Sequence, residues 1–502
     1  MKRPLISALA VTTALAALVP ATASAHGFGE RYDLPVPLGL YLTAAALAVI
    51  LSFVLIGLFA KGPVGETYPR KNLLDWRVGR AVASPWTLGV IKALSVLVFA
   101  IYLAAGLFGT DDPNANLVPT MTWVLLWVGG AYVSALVGNI WALISPWKVL
   151  FGYAETAYAK LSGGDLARYE PYPTGLAGWP AFVLFLVFAW VEIVYTDSGV
   201  PFNIVVLVLA YSGLTFVGMW WFGRDVWLRN GEMFAIVLGF FAAFAPTEVR
   251  AREANADGTT DTDVNDYEAY ADAPPDDREF NVRPWGVGLL STPPLDLSHA
   301  VLLVAMLAAA SFDGFVETGT WTRILLSSIF DFFGTSAFTG ITTLGLLVAP
   351  LVALGVFGLT AGLMGLLAGS RMGTVAILRV FAYSLVPIAL AYHIAHFFSF
   401  LAIQGQRIFA LASDPLGKGW DVFGTSDAGI DIGIVNARFV WFLSIIAIVL
   451  GHIIAVYIAH VYAVRVFPGK GKAVLSQYPM LVLMAAYTMV SLWIVAQPIV
   501  AD

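Results

Sequence analysis

Long apolar stretches alternate with short polar ones along this chain, and most approach the roughly 20 residues that a helix needs to cross a bilayer. The pattern predicts spans at about 38–60, 87–108, 118–144, 178–196, 201–222, 298–313, 341–368, 377–403, 438–462 and 478–498, ten in all. A further stretch, 231–245 (GEMFAIVLGFFAAFA), is about 15 residues long, which is short for a span. If it crossed, everything after it would invert unless 321–338 crossed as well. That stretch contains Arg323 and Asp331 and is a poor spanning candidate. The segment 231–245 is therefore read as re-entrant or interfacial. The expected fold class is all-α, a polytopic transmembrane helical bundle of about ten spans.

Composition agrees with a lipid-solvated chain. Of 502 residues, 59% are hydrophobic and only 12% charged, and the mean hydropathy is +0.80, so no water-soluble fold could hide the apolar surface. The bilayer is thus the first expected partner. Nothing in the charge pattern points to nucleic acid, because the net charge of -6 gathers largely in one acidic segment. Cysteine is absent, which excludes disulfides, zinc-thiolate sites and thiol nucleophiles.

The N-terminus reads as a signal peptide over 1–25. Met1-Lys2-Arg3 is basic, Pro4 to Val19 is apolar, and Ala23-Ser24-Ala25 has the form signal peptidase accepts. The alternative is an uncleaved first helix of the same orientation. Either way His26 lies outside. Lys61, Arg70, Lys71, Arg77 and Arg80 crowd the first loop, whereas the second carries Asp111 and Asp112 without a base. The positive-inside rule then places the first loop in the cytoplasm of a bacterial-type plasma membrane. Lys148, Lys160, Arg168, Arg224, Arg229, Arg371, Arg465, Lys470 and Lys472 fall on the same side.

Between the halves, residues 246–283 hold eleven Asp or Glu against four Arg, with Asp-Gly and Pro-Pro punctuation. That composition predicts a flexible, solvated linker, with a cation-binding tail as the alternative. The expected organisation is a signal peptide (1–25), an N-terminal membrane half (26–245), an acidic linker (246–296) and a His-rich C-terminal membrane half (297–502). Gly358, Gly362, Gly365 and Gly369 have the small-xxx-small spacing that lets helices approach closely. The sixteen Trp, many near span ends, suit interfacial belts.

Chemistry is expected around the histidines, six in the whole chain. Ionisable side chains inside spans are costly and mark function. His393 and His396, in AYHIAHFFSFLAIQGQ, are three apart and share a helical face. Such a pair can bind a divalent metal ion or flank a substrate; alternatively each ring is satisfied by an interhelical hydrogen bond. At about 1.5 Å of rise per residue, His393 stands roughly 24 Å from the cytoplasmic end of its span and His452 about 21 Å from the outer end of the next, so a shared pocket is feasible. His460 and His299 fall at the cytoplasmic boundary and are left out. Glu192 (AWVEIVYTDSG), Asp313 and Glu317 (AASFDGFVETG) reach the outer level from other spans. With the imidazoles they could hold a hard or borderline cation that activates water. His26 offers an amine and an imidazole to copper. Heme between opposed histidines is a further alternative, disfavoured by their unequal depths. The outer loop 404–437 is expected to cover this pocket. No phosphate-cradling loop, nucleophile-elbow serine or zinc-protease His pair is present.

Four stretches, AHGFGERYDLPVPLGLYL, WFGRDVWLRNGEMF, LVPIALAYHIAHFFSFLAIQGQ and SQYPMLVLMAAYTMVSLWIVAQPIV, resemble bacterial integral membrane proteins labelled fenitrothion hydrolases. The resemblance spans most of the chain apart from the acidic linker, and it implies an organophosphorus-ester hydrolase embedded in the membrane. The working expectation joins the two readings. An apolar ester enters from the outer leaflet and is attacked by metal-activated water, with His393, His396, His452 and His26 as metal ligands and Asp313 and Glu192 as catalytic carboxylates. A transporter or metal-handling protein would line a permeation site with the same groups. A third alternative is an accessory subunit that docks a membrane partner.

Overall fold

The computed structural model describes residues 31–59, 68–254, 260–264, 270, 273–274, 277–327 and 337–501. The expected signal peptide, His26 and Asp331 lie outside the described residues.

Among the described residues, nine helices are long and apolar enough to cross a membrane, and the chain is a multi-pass helical bundle. In chain order with two shorter apolar helices these are α1 (Leu38–Phe59), α2 (Pro85–Phe108), α3 (Leu117–Leu136), α4 (Trp179–Ile193), α5 (Pro201–Phe222), α6 (Met233–Ala242), α7 (Leu297–Val316), α8 (Phe338–Ala368), α9 (Thr374–Gln404), α10 (Ala437–Val466) and α11 (Lys470–Ile499). All ten expected spans coincide with helices. The fourth, α4, has 15 residues and is shorter than the rest.

Local sequence fixes where these helices begin. Ser84 accepts from Thr87 N ahead of Pro85, Asn116 from Val118 N, and Asn436 from Phe439 N, each satisfying an N-terminal amide that has no partner within its helix. Asp296 does the same for Ser298 N and His299 N. In α9 a 3-10 turn, Ala382–Leu385, precedes Pro387, and the α-helix resumes at Val386, as proline requires at a helix's first turn. Within α3, Thr120–Gly129 is wound as a π-helix, a form that is rare and frequent at functional sites.

Burial sorts the helices into layers. In α9, 72% of the most apolar window is buried against 11% in α2, so α9 is the hub and α2 faces lipid. α9 packs chiefly on α10, and α7 packs on α8, α4 and α9, which joins the two sequence halves into one bundle.

The short helix α6 enters and leaves at the same end. Just before it, the Arg229 carbonyl meets His299 Nε2 at 3.2 Å at the start of α7. Just after it, Thr247 Oγ1 donates to the Val137 carbonyl at 2.6 Å beyond the end of α3. Both flanks of α6 thus lie at one end of the bundle.

That same end carries a feature composition did not announce. The strands are β1 (Tyr32–Asp33), β2 (Lys71–Asn72), β3 (Thr247–Ala254), β4 (Thr260–Val264), β5 (Arg278–Val282) and β6 (Val500–Ala501). β2, β5, β3 and β4 form an antiparallel sheet in that order, with Val249 opposite Phe280 and Lys71 opposite Val282. The segment 246–296, expected as a flexible linker, therefore contributes three of the four strands. Among the described side chains, Glu248, Arg250 and Arg283 pair with one another at the sheet. Glu248 accepts from Arg250 Nε at 2.7 Å, Arg283 Nη1 at 2.5 Å and the Tyr68 hydroxyl at 2.5 Å. At the opposite end β1 pairs in parallel with β6 and ties the start of α1 to the end of α11.

Candidate functional site: a buried imidazole and carboxylate cluster

Three helices bring the polar groups together in the half of the bundle away from the sheet. α9 supplies His393 and His396, α7 supplies Asp313 in its last turn, and α4 supplies Glu192 near its end. His396 Nε2 lies 2.9 Å from Asp313 Oδ2, with the imidazole 1% and the carboxylate 24% exposed. Glu192 is half-buried and within charge–charge range of Asp313. Asp313 therefore interacts with an imidazole by a hydrogen bond and with a second carboxyl by charge. Glu317, the residue that closes α7, acts electrostatically on His396 from the outer side.

Two uncharged residues shape this cluster. The Tyr392 ring stacks on His396 at 5.9 Å, and its hydroxyl is buried without a hydrogen-bond partner. Gly314 makes room for both rings, since a Cβ there would stand 2.5 Å from the Tyr392 hydroxyl and 3.4 Å from His396 Cε1.

His393 belongs to a different environment. Its Nε2 reaches the Val128 carbonyl of the π-helical turn at 3.4 Å, and Trp127, Tyr132, Phe241 and Phe397 surround the ring. Because carbonyls only accept, the Nε2 proton is directed at α3. His452 turns inward on its own helix, Nδ1 donating to the Ile448 carbonyl at 2.8 Å, while Nε2 is buried without a partner. Its ring lies 5.9 Å from that of Tyr487, whose hydroxyl is paired with Ser311.

The structure thus joins Asp313, Glu192 and His396 and directs His393 and His452 to separate partners. Among the described residues no three His, Asp or Glu side chains are gathered as they would be around a metal ion. His299 and His460 are structural at the sheet end. His299 bonds Asp296, and His460 Nδ1 lies 3.1 Å from Gln477 Oε1. Burial would raise the Asp296 carboxyl, but hydrogen bonds from Ser298 and the His299 imidazole outweigh it and hold the group below the usual range.

Sequence reasoning missed Tyr392 and Trp127. Tyr392 precedes His393 in the motif itself, so the signal was present as a polar tip beside two imidazoles. Trp127 carried no such signal, because its place depends on the π-helical turn. The loop 404–437 is folded by local bonds, with Asp421 accepting from Ser413 Oγ and Ser426 N, and Gln406 Nε2 donating to the Asp431 carbonyl.

An apolar cavity of about 870 Å³ lies on the far side of α3 and α4 from the cluster. It is lined by α2, α3, α4, α5 and α6, including Leu94, Leu126, Gly130, Phe188, Ala210 and Tyr211. No family model, curated protein or solved structure matches the chain.

Proposed function

We propose that this protein is a plasma-membrane hydrolase of apolar, organophosphorus-type esters, with its site in the outer leaflet and its mature N-terminus outside. The single observation that carries the reading is the buried His396–Asp313 pair flanked by Glu192. Hydrolysis needs a group that takes a proton from water as it attacks phosphorus, and a second group that orients the first. In a row of imidazole, carboxylate and carboxyl, one proton can be accepted and passed on without leaving the low-dielectric interior. The apolar cavity across α3 and α4 from the cluster supports an apolar substrate, and the four quoted sequence stretches support the ester chemistry. The basic loops on the sheet side support the orientation. Should a divalent ion take part, Glu192, Asp313 and His396 are the side chains nearest to a ligand set; His393 is turned away.

The test is turnover of a triaryl phosphate and of a phosphorothioate triester by protein purified in detergent, with metal content measured in parallel. His396→Ala and Asp313→Asn should each lower kcat by about 100-fold or more. His393→Phe should stay within a few-fold of wild type. Wild-type turnover in both His396→Ala and Asp313→Asn overturns the reading.

One observation favours transport as a second reading. The contacts from His452 through Tyr487 to Ser311 carry polar groups from the cluster's neighbourhood into the body of the bundle, as a carrier's lining would. Substrate accumulation in sealed vesicles without product would select it.

A further inference from the structure

Trp127 and Phe188 form a partition one ring thick. Their centroids are 4.7 Å apart in an edge-to-face arrangement. Phe188 lines the apolar cavity, whereas Trp127 lies 6.0 Å from the His393 ring on the other side. The buried Trp127 indole N–H is directed at the Glu192 carboxyl. The contact between these two rings is what separates the cavity from Glu192. The wall next to it is thin as well. Gly129 and Gly130 follow Trp127 at the end of the π-helical turn, and both line the cavity.

The cavity selects its occupant. It has no charged lining residue, and several of its hydroxyls are already bonded: Tyr102 with Thr122, and Tyr211 with Glu232. A charged ligand would go uncompensated there. Leu94, Val187 and Leu214 along its rim are exposed apolar side chains on membrane helices, so the opening faces lipid. About 870 Å³ falls in the range of small-molecule pockets.

We propose that the cavity is a binding site for a neutral aryl ester taken up laterally from the bilayer, and that Trp127 and Phe188 are the gate between it and Glu192. The inference rests on the hydrolase reading for the class of ligand, but its geometry does not require turnover.

The test uses a neutral, membrane-soluble reagent. Dicyclohexylcarbodiimide reacts with a protonated carboxyl group: the carboxyl oxygen bonds the central carbon, the proton goes to nitrogen, and the adduct rearranges to a stable N-acylurea. Mass spectrometry of the full-length protein, digested after labelling in nanodiscs, reads the rate at Glu192. Triphenyl phosphate should slow that rate. Leu94→Trp and Ala210→Trp, which add bulk at exposed lining positions without disturbing the core, should slow it too. Phe188→Ala should raise it several-fold, with no such change for a water-soluble carbodiimide.

A rate at Glu192 that ignores triphenyl phosphate and both Trp variants overturns the proposal, and would mean that acyl chains simply fill the groove. Protection at Glu192 without ester turnover keeps the gate and removes the hydrolase reading. Turnover that is indifferent to the cavity variants does the reverse.

Discussion

His393 and His396 stand three residues apart on α9 and bond in different directions, one to the Val128 carbonyl at 3.4 Å and the other to Asp313 Oδ2 at 2.9 Å. The first bond is long and neutral, the second short and charge-assisted. Their replacement should separate accordingly. His396→Ala leaves the Asp313 carboxylate facing Glu192 with no imidazole, and should cost about 3 kcal/mol, discounted from a fully buried pair because Asp313 is 24% exposed. His393→Phe keeps the ring within its aromatic cage and should cost about 1 kcal/mol. Thermal unfolding in nanodiscs measures both, and equal losses would contradict the division drawn here.

A second prediction concerns the sheet. Burial raises the Glu248 carboxyl, but hydrogen bonds from Arg250 and Tyr68, with the charges of Arg283 and Arg250, outweigh it and hold the group below its ordinary value of 4.5. A carboxylate depressed in the folded state stabilises fully above its unfolded value, and loses that contribution as pH falls through the folded one. Protection of the backbone amides of β3 and β5 against hydrogen exchange should therefore be flat at neutral pH and decline below about pH 4.5. Glu248→Gln should lower protection at neutral pH by about 3 kcal/mol and flatten the acid limb. The Gln variant retaining a wild-type acid limb would assign that limb to other groups.

Glu232 offers a third. Its carboxylate is buried and caps α6, accepting from Phe234 N at 3.1 Å and Ala235 N at 2.6 Å, with Tyr211 and the Trp141 indole as further donors. Glu232→Ala removes the cap and strands four donors, for a loss of about 3 kcal/mol or more. Glu232→Gln retains acceptor capacity and should lose about half as much. Because Tyr211 and Trp141 line the cavity, the Ala variant should also perturb indole fluorescence there. No spectral change would mean that the cap is independent of the cavity wall.

What the sequence made legible follows from the range of the interactions involved. Spans were readable because each depends on its own run of apolar residues, and α6 was readable as shorter than a span because its length is a local property. The sheet was not, since its register pairs Lys71 with Val282 across more than two hundred residues. Arg283 and Glu248 look like solvated charges until they meet, neither side chain exposed. Within the site, the common level of His396, Asp313 and Glu192 followed from their places toward the outer ends of their spans. The divergence of His393 did not, because it is set by the π-helical turn of α3, which leaves no recognisable pattern in TMTWVLLWVG.

Glycine spacing shows the same limit and yields the last prediction. The run Gly358, Gly362, Gly365 and Gly369 has the form of a close-packing motif, but a Cβ at Gly358 would meet nothing within 4 Å. At Gly362 the nearest atom is Thr374 Oγ1 at 3.5 Å, and only Gly365 is tight, with Ile377 Cδ1 at 2.7 Å. The close approach lies elsewhere. A Cβ at Gly451 would stand 2.4 Å from Ala391 Cβ and 2.7 Å from the Pro387 carbonyl, the second a backbone atom that cannot turn aside. This contact holds α10 against α9, two residues before His393. Gly358→Ala should leave stability unchanged or raise it by about 0.5 kcal/mol, since alanine is the better helix former. Gly451→Ala should cost about 1–3 kcal/mol by forcing the helices apart. Because α9 carries His396, the partner of Asp313, that variant should also lose turnover while Gly358→Ala retains it. Thermal unfolding and ester hydrolysis measured on the two variants side by side would expose the opposite order.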